Sequence, residues 1–231
     1  MLRPGTAGRV FVAALASAGL VSGILAGGAL AVAPQIQADD DFFSAATYTM
    51  DQGDKPTLLN NGVNLHNATA KLNGPDGMVL FESATVGNGV TTPAEGAQYL
   101  TVGSYAFLCT IHPLSMQAAL QVSSAGTPVR RPSIDVTAAK GKVAKVAKKG
   151  KLPVTVRALT DSDKITLTLK LGMSKIGSQP EFNLAAGQQR KLSVKLTKAG
   201  KKQLRKKSKA TVKVIGDVRF GASDTAKANL K

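Results

Sequence analysis

Residues 105–116 read Tyr-Ala-Phe-Leu-Cys-Thr-Ile-His-Pro-Leu-Ser-Met. This stretch holds the single cysteine of a 231-residue chain, one of its two histidines and one of its five methionines. Its first half alternates. In an extended segment Tyr105, Phe107 and Cys109 share one face, because successive side chains of a strand point to opposite sides. Taken singly, each later residue has an ordinary reading: Cys109 as a small buried hydrophobe, His112 as a loop histidine, Met116 as the first core residue of the next strand. Taken together they do not, since a histidine at a given offset from the cysteine arises by chance about once in a hundred.

The second histidine, His66, lies in Asn60-Asn61-Gly62-Val63-Asn64-Leu65-His66-Asn67, at the end of an earlier apolar run and its turn. The inventory is two imidazoles, one thiolate and one thioether, with no surplus. A His₂Cys plane with a long, weak axial methionine is a copper donor set. His66, Cys109, His112 and Met116 are therefore the candidate metal ligands.

Working outward, short apolar or alternating runs at residues 45–50, 57–60, 78–81, 99–102, 105–110 and 116–122 are separated by turn residues such as Asn73-Gly74-Pro75-Asp76-Gly77 and Gly87-Asn88-Gly89. Many short strands at such spacing predict an antiparallel sandwich or barrel. Roughly 80 residues suffice for one core between two sheets.

With these residues in view, the segment from about 45 to 122 resembles the cupredoxins, the plastocyanin/azurin family of small type 1 copper proteins. Residues 103–116 read as that family's aromatic strand followed by Cys, His and Met on one loop, with a strand ending at Val122. Asn60-Asn61 and His66-Asn67 are similar to the turn and flank of its upstream histidine. The resemblance implies a Greek-key β-sandwich and one type 1 copper ion held by His66, Cys109, His112 and Met116. It further implies single-electron transfer to redox protein partners, which dock where Pro113 and Leu114 flank the edge of His112. Asn67 either bonds across to the cysteine loop or bonds its own backbone as a turn residue.

Arg3 and Arg9 precede a nearly uncharged run from Val10 to Ala33, the layout of a secretory signal and long enough for an N-terminal membrane anchor. Cleavage sites are offered after Ala33 and after Ala38, ahead of Asp39-Asp40-Asp41. Either fate predicts an extracytoplasmic location, where an unpaired cysteine suggests a bridge, a reactive thiol or a metal ligand.

Charge divides the chain. Between Asp39 and Val129 two basic residues face eight acidic ones; from Arg130 to Lys231 there are 26 basic and six acidic. Such an asymmetry predicts two domains. The expected organisation is a leader over 1–38, the copper domain over 39–123, a linker over 124–132 around Ser123-Ser124-Ala125-Gly126-Thr127-Pro128, and a basic domain over 133–231.

The basic half opens on a low-complexity lysine stretch, residues 140–151. Period-2 patterning follows at 152–157, 165–171, 191–196 and 210–215, with a weaker run near the end, and predicts strands with one buried face. Thr197 is placed to cap a short helical turn over 197–204. The expected architecture is a second, immunoglobulin-like β-sandwich, so that the whole chain is all-β. Its charge is either a solvated surface or an attraction to a polyanionic envelope component or anionic lipid. Nucleic acid is excluded as a partner: Phe182 and Phe220 are the domain's only aromatic residues, and no nucleic-acid-binding module is visible.

Enzyme chemistry is not expected. Copper oxidases need further histidine sites and none remains; a Cys109–His66 nucleophile pair leaves Met116 and His112 without a role. An extracytoplasmic copper carrier or store, or a structural envelope protein, is the alternative to an electron carrier.

Overall fold

Alternation in the sequence becomes pairing in the structure, a computed structural model that describes residues 33–231. Of the signal or anchor expected over residues 1–38, residues 1–32 lie outside the described residues. Among the described residues no helix is long and apolar enough to cross a membrane.

Eight strands make the first sheet: β1 (Gln35–Ala38), β2 (Thr47–Gln52), β3 (Thr57–Asn60), β4 (Thr69–Ala70), β5 (Glu82–Ser83), β6 (Thr91–Glu95), β7 (Gly103–Leu108) and β8 (Gln117–Gly126). Their order is β1-β3-β6-β5-β4-β7-β8-β2, with β1–β3 and β2–β8 parallel and the other pairs antiparallel. The two outermost strands are consecutive in the chain, and Tyr48 ties them: its hydroxyl donates to Gln37 O at 3.1 Å. The sheet is thereby rolled around one core. Phe107 sits in it edge-on to Phe43, with ring centroids 4.9 Å apart, and to Phe81 at 6.0 Å. Such aromatic pairs add about 0.5–1.5 kcal/mol each beyond the area they bury.

Two boundaries differ from expectation. Gln35–Ala38, expected at the end of the leader, is β1; Ile36 and Ala38 are fully buried. Two outward-facing glutamines hide this strand in the sequence. At the other end β8 runs to Gly126, into the stretch read as linker, because Gly126 pairs with Gln52 across a bulge. The runs at 78–81 and 99–102 are not strands. The first is a hairpin turn leading to β5, and the second follows a 3₁₀ turn at Ala97–Tyr99.

The second half is also β. Strands β9 (Ile134–Ala138), β10 (Lys151–Ala158), β11 (Ser162–Leu171), β12 (Ser174–Leu184), β13 (Gln189–Leu196), β14 (Ala210–Asp217) and β15 (Asp224–Leu230) form an antiparallel ladder ordered β15-β14-β11-β12-β13-β10-β9. Its outer strands come together, with Val136 N donating to Asp224 Oδ2 at 2.6 Å, so the ladder wraps one core and gives the second β domain that the sequence predicts a barrel-like form. Helix α1 (Val143–Lys149) arises inside the lysine-rich stretch, burying Val143, Val146 and Ala147. Helix α2 (Lys198–Arg205) begins as its sequence predicts: Thr197 Oγ1 accepts from Gly200 N at 2.9 Å.

The two halves belong to one compact unit and are fastened by the turn between β14 and β15. Arg219 donates to Asp76 Oδ2 (2.6 Å), Glu82 Oε1 (2.9 Å) and Val79 O (3.1 Å). Phe220 N donates to the same Asp76 oxygen at 2.8 Å. Phe220 holds a left-handed backbone, φ 63°, and presses its ring on Gly96, where a Cβ would come within 2.5 Å of it. The hairpin that receives Arg219 leads away from His66: the pairs His66–Val86, Thr69–Glu82 and Asn73–Val79 lie in succession along it, ahead of the Asp76 turn.

Candidate metal centre

Cys109 follows β7 directly and keeps its alternation. Phe107 and Cys109 are buried and Tyr105 half-buried, while Ala106 is exposed. The loop to β8 is closed by Cys109 N donating to Met116 O at 3.1 Å and Met116 N donating to His112 O at 2.9 Å. Gln117 adds a strut, donating from Nε2 to Pro113 O at 2.8 Å. These bonds hold Cys109, His112 and Met116 in one loop conformation.

His66 is delivered from the other side. Its backbone exchanges two hydrogen bonds with Val86, at 3.0 and 2.9 Å. The preceding turn is organised by buried Asn60, whose Nδ2 donates to Asn64 O and Val86 O at 2.7 and 2.8 Å and whose Oδ1 accepts from Gly62 N at 2.9 Å. Gly62 is needed there, since a Cβ would fall within 2.7 Å of the Asp39 backbone.

The donor atoms of His66, Cys109 and His112 lie within 4.8 Å of one another. His66 Nδ1 stands 3.8 Å from Cys109 Sγ, and the two imidazole centroids are 5.1 Å apart. His66, Cys109 and Met116 are fully buried, and His112 keeps 23% of its side chain exposed. His112 Nε2 lies 3.4 Å from Asp41 Oδ1, so Nδ1 is the nitrogen turned inward; it is buried and has no hydrogen-bond partner among the described residues. His66 Nε2, the ring nitrogen other than the one that faces Cys109 Sγ, is likewise buried without a partner among the described residues. Leaving such groups unpaired costs about 1–3 kcal/mol each. The donor set fits a copper ion: two nitrogens and a sulfur converge, and buried Met116 is joined to Cys109 and His112 by backbone hydrogen bonds.

Burial lowers the His66 pKa, and the neighbouring His112 lowers it further against the opposing pull of Asp41, Asp40 and Asp39. The neutral imidazole, which has a free lone pair for a metal, is thereby favoured.

Asn67 resolves toward the cysteine loop. Its Nδ2 donates to Thr110 Oγ1 at 2.7 Å and to Thr85 Oγ1 at 3.0 Å, and its Oδ1 accepts from Thr110 N at 2.8 Å. Asn60 belongs to the turn that the sequence singles out ahead of His66, whereas Asp41 and Thr110 carry no such signal. Asp39-Asp40-Asp41 figure in the sequence only as the residues after a cleavage site; in the fold they lie against the His66 turn, with Val63 N donating to Asp40 Oδ1 at 2.7 Å. Exposed Val63, Leu65, Ile111 and Leu114 lie on the two loops that carry His66 and His112.

No protein-family model matches the chain, and no curated protein matches it. Among solved structures the chain is similar to an oxidized point mutant of amicyanin, at 16% identity over 39% of this chain and 82% of that one, TM-score 0.34. A second, reduced mutant of amicyanin overlaps over the same shares at 18% identity, TM-score 0.34. A purple cupredoxin from Nitrosopumilus maritimus overlaps at 22% identity, over 39% of this chain and 99% of that one, TM-score 0.32. Overlaps this partial add no weight to the reading of the centre, which stands on the side chains described above.

Proposed function

We propose that the first domain is a type 1 copper protein that carries single electrons outside the cytoplasm. His66, Cys109 and His112 would hold the ion and Met116 would be a weak fourth donor. The observation that carries this is the convergence of three buried or half-buried donors, two histidine nitrogens and one thiol, from loops 43 residues apart in the chain. When bound, copper supplies a reversible one-electron change between Cu(II) and Cu(I).

The chain's own contribution is constraint. The Val86 bridge fixes His66, the Asn67–Thr110 bonds fix the cysteine loop, and the Met116–His112 bond closes it. A centre that moves little between charge states needs little reorganisation for each transfer. Exposed Leu114 and Ile111, which flank His112 in its loop, would offer an apolar docking face for a redox protein partner. Support for export comes from the N-terminal sequence layout; outside the cytoplasm, coordination would protect the unpaired, buried Cys109 from oxidation.

The test is an optical spectrum of the purified protein with added Cu(II), repeated on Cys109→Ser. Intense visible absorption from a copper–thiolate bond is expected in the parent and absent in the variant, with reversible bleaching by a mild reductant. A parent that binds copper without colour would leave a store rather than an electron carrier. One that binds none would overturn the reading altogether.

A further inference from the structure

A cleft of about 550 Å³ lies on the second domain, between α1, the start of β10 and β13, and is lined by Lys140, Lys142, Lys145, Lys149 and Lys151 with Pro153 and Ser193. No carboxylate lines it. Among the described residues none of these five lysines takes part in an ion pair.

The crowding follows from the fold. Val143, Val146 and Ala147 turn inward, which leaves Lys142, Lys145 and Lys149, spaced three and four apart, on one outer face of α1. Gly150 then reverses the chain in a left-handed conformation, φ 64°, and delivers Lys151 beside them. Lys201 lies over Gly150, where a Cβ would collide with its stem. Across the ladder Lys151 stands directly opposite Lys195. Like charges in directly opposed positions destabilise a sheet; unlike the row Lys170, Lys213 and Lys227 across β11, β14 and β15, this pair stands at a concavity that four further lysines line.

We propose that this cleft binds a linear polyanion with closely spaced phosphate groups. Ammonium groups act as mobile point charges on phosphate and do not demand the planar bidentate fit of a guanidinium, so five in one concavity select charge density along a chain over the shape of one ester. No aromatic side chain lines the cleft to stack on a base. The domain's strongly exposed large apolar residues are Leu159 and Met173; neither lines the cleft, as a wedge into a membrane would.

The test measures binding of long-chain inorganic polyphosphate, and separately of phosphatidylglycerol vesicles, to the full chain across a salt series. Two triple variants are compared: Lys142→Gln/Lys145→Gln/Lys149→Gln in the cleft, and Lys170→Gln/Lys213→Gln/Lys227→Gln, which removes equal charge from the β11–β14–β15 face. Folding of each is checked by circular dichroism. The cleft variant is expected to lose at least about tenfold in affinity and to lower the slope of log K against log salt by about 2, near 0.7 for each phosphate contact removed. The control should change affinity less than about threefold on the same scale. Equal losses in the two variants would reduce the effect to overall charge and overturn the site. So would vesicle binding as tight as polyphosphate binding, which would make the ligand a membrane surface, or no polyphosphate binding at all.

Discussion

Asn67 and Thr110 exchange two hydrogen bonds across 43 residues of chain: Asn67 Nδ2 donates to Thr110 Oγ1 at 2.7 Å, and Thr110 N donates to Asn67 Oδ1 at 2.8 Å. One neighbour of His66 is thus bolted to the residue after Cys109. Replacing Asn67 with Ala strands the Thr110 amide and frees the loop. A stability loss of about 1–3 kcal/mol and a copper affinity lower by about 10–100-fold are expected, read by urea titration and competitive chelation. Unchanged copper affinity would show that the pair serves the fold alone.

Met116 is fully buried, and Leu conserves its volume, so Met116→Leu should cost less than about 1.5 kcal/mol. Removing the thioether takes electron density from the more highly charged state of the ion. Colour should therefore persist and the potential rise, as voltammetry would read. A potential that does not move would place Met116 in the core and outside the ligand set.

Arg219 joins the two β halves through three acceptors, and its Asp76 partner keeps only 6% of its side chain exposed. Arg219→Ala leaves that carboxylate with the Phe220 and Met78 amides alone. Losing one partner of a buried pair costs about 3–5 kcal/mol. The single unfolding transition expected of the parent should split in two, and small-angle scattering should report a larger radius.

The same pair sets an acid limit. Burial alone would raise the Asp76 pKa, but the Phe220 amide and the Arg219 guanidinium outweigh it and hold the carboxyl below its usual value. A carboxyl depressed in the folded state contributes stability that is complete above its unfolded pKa of about 3.9 and is lost as pH falls through the folded value. Melting temperature should therefore fall more steeply below about pH 4 in the parent than in Asp76→Asn. Parallel pH profiles would contradict this.

A chain beginning at Asp39 lacks β1 and exposes the edge of β3. Removing fully buried Ile36 and Ala38 should cost at least the roughly 2–5 kcal/mol of an Ile→Ala change. A chain beginning at Pro34 keeps both residues. Comparing the two by thermal melt and by solubility tests whether the folded domain needs this strand.

Tyr105, Phe107 and Cys109 declare a strand with one buried face, and the spacing of Cys109, His112 and Met116 declares a loop rich in soft donors, because both patterns are local. Thr197 announces α2 for the same reason: a cap needs only the residue three positions on. Short β5 and β6 carry no such signal, since Glu82-Ser83 and Thr91-Thr92-Pro93-Ala94-Glu95 are strands only through their pairing with each other and with distant partners. Helix α1 was hidden because its buried face amounts to Val143, Val146 and Ala147 among lysines. The β character of both halves and the identity of four candidate ligands are legible in local residue patterns. Tertiary structure alone decided that Asn67 would turn to Thr110, that Asp41 would reach His112 and that Arg219 would find Asp76. Those contacts depend on which distant segments meet when the core closes, and local periodicity reports only which face of a segment is buried.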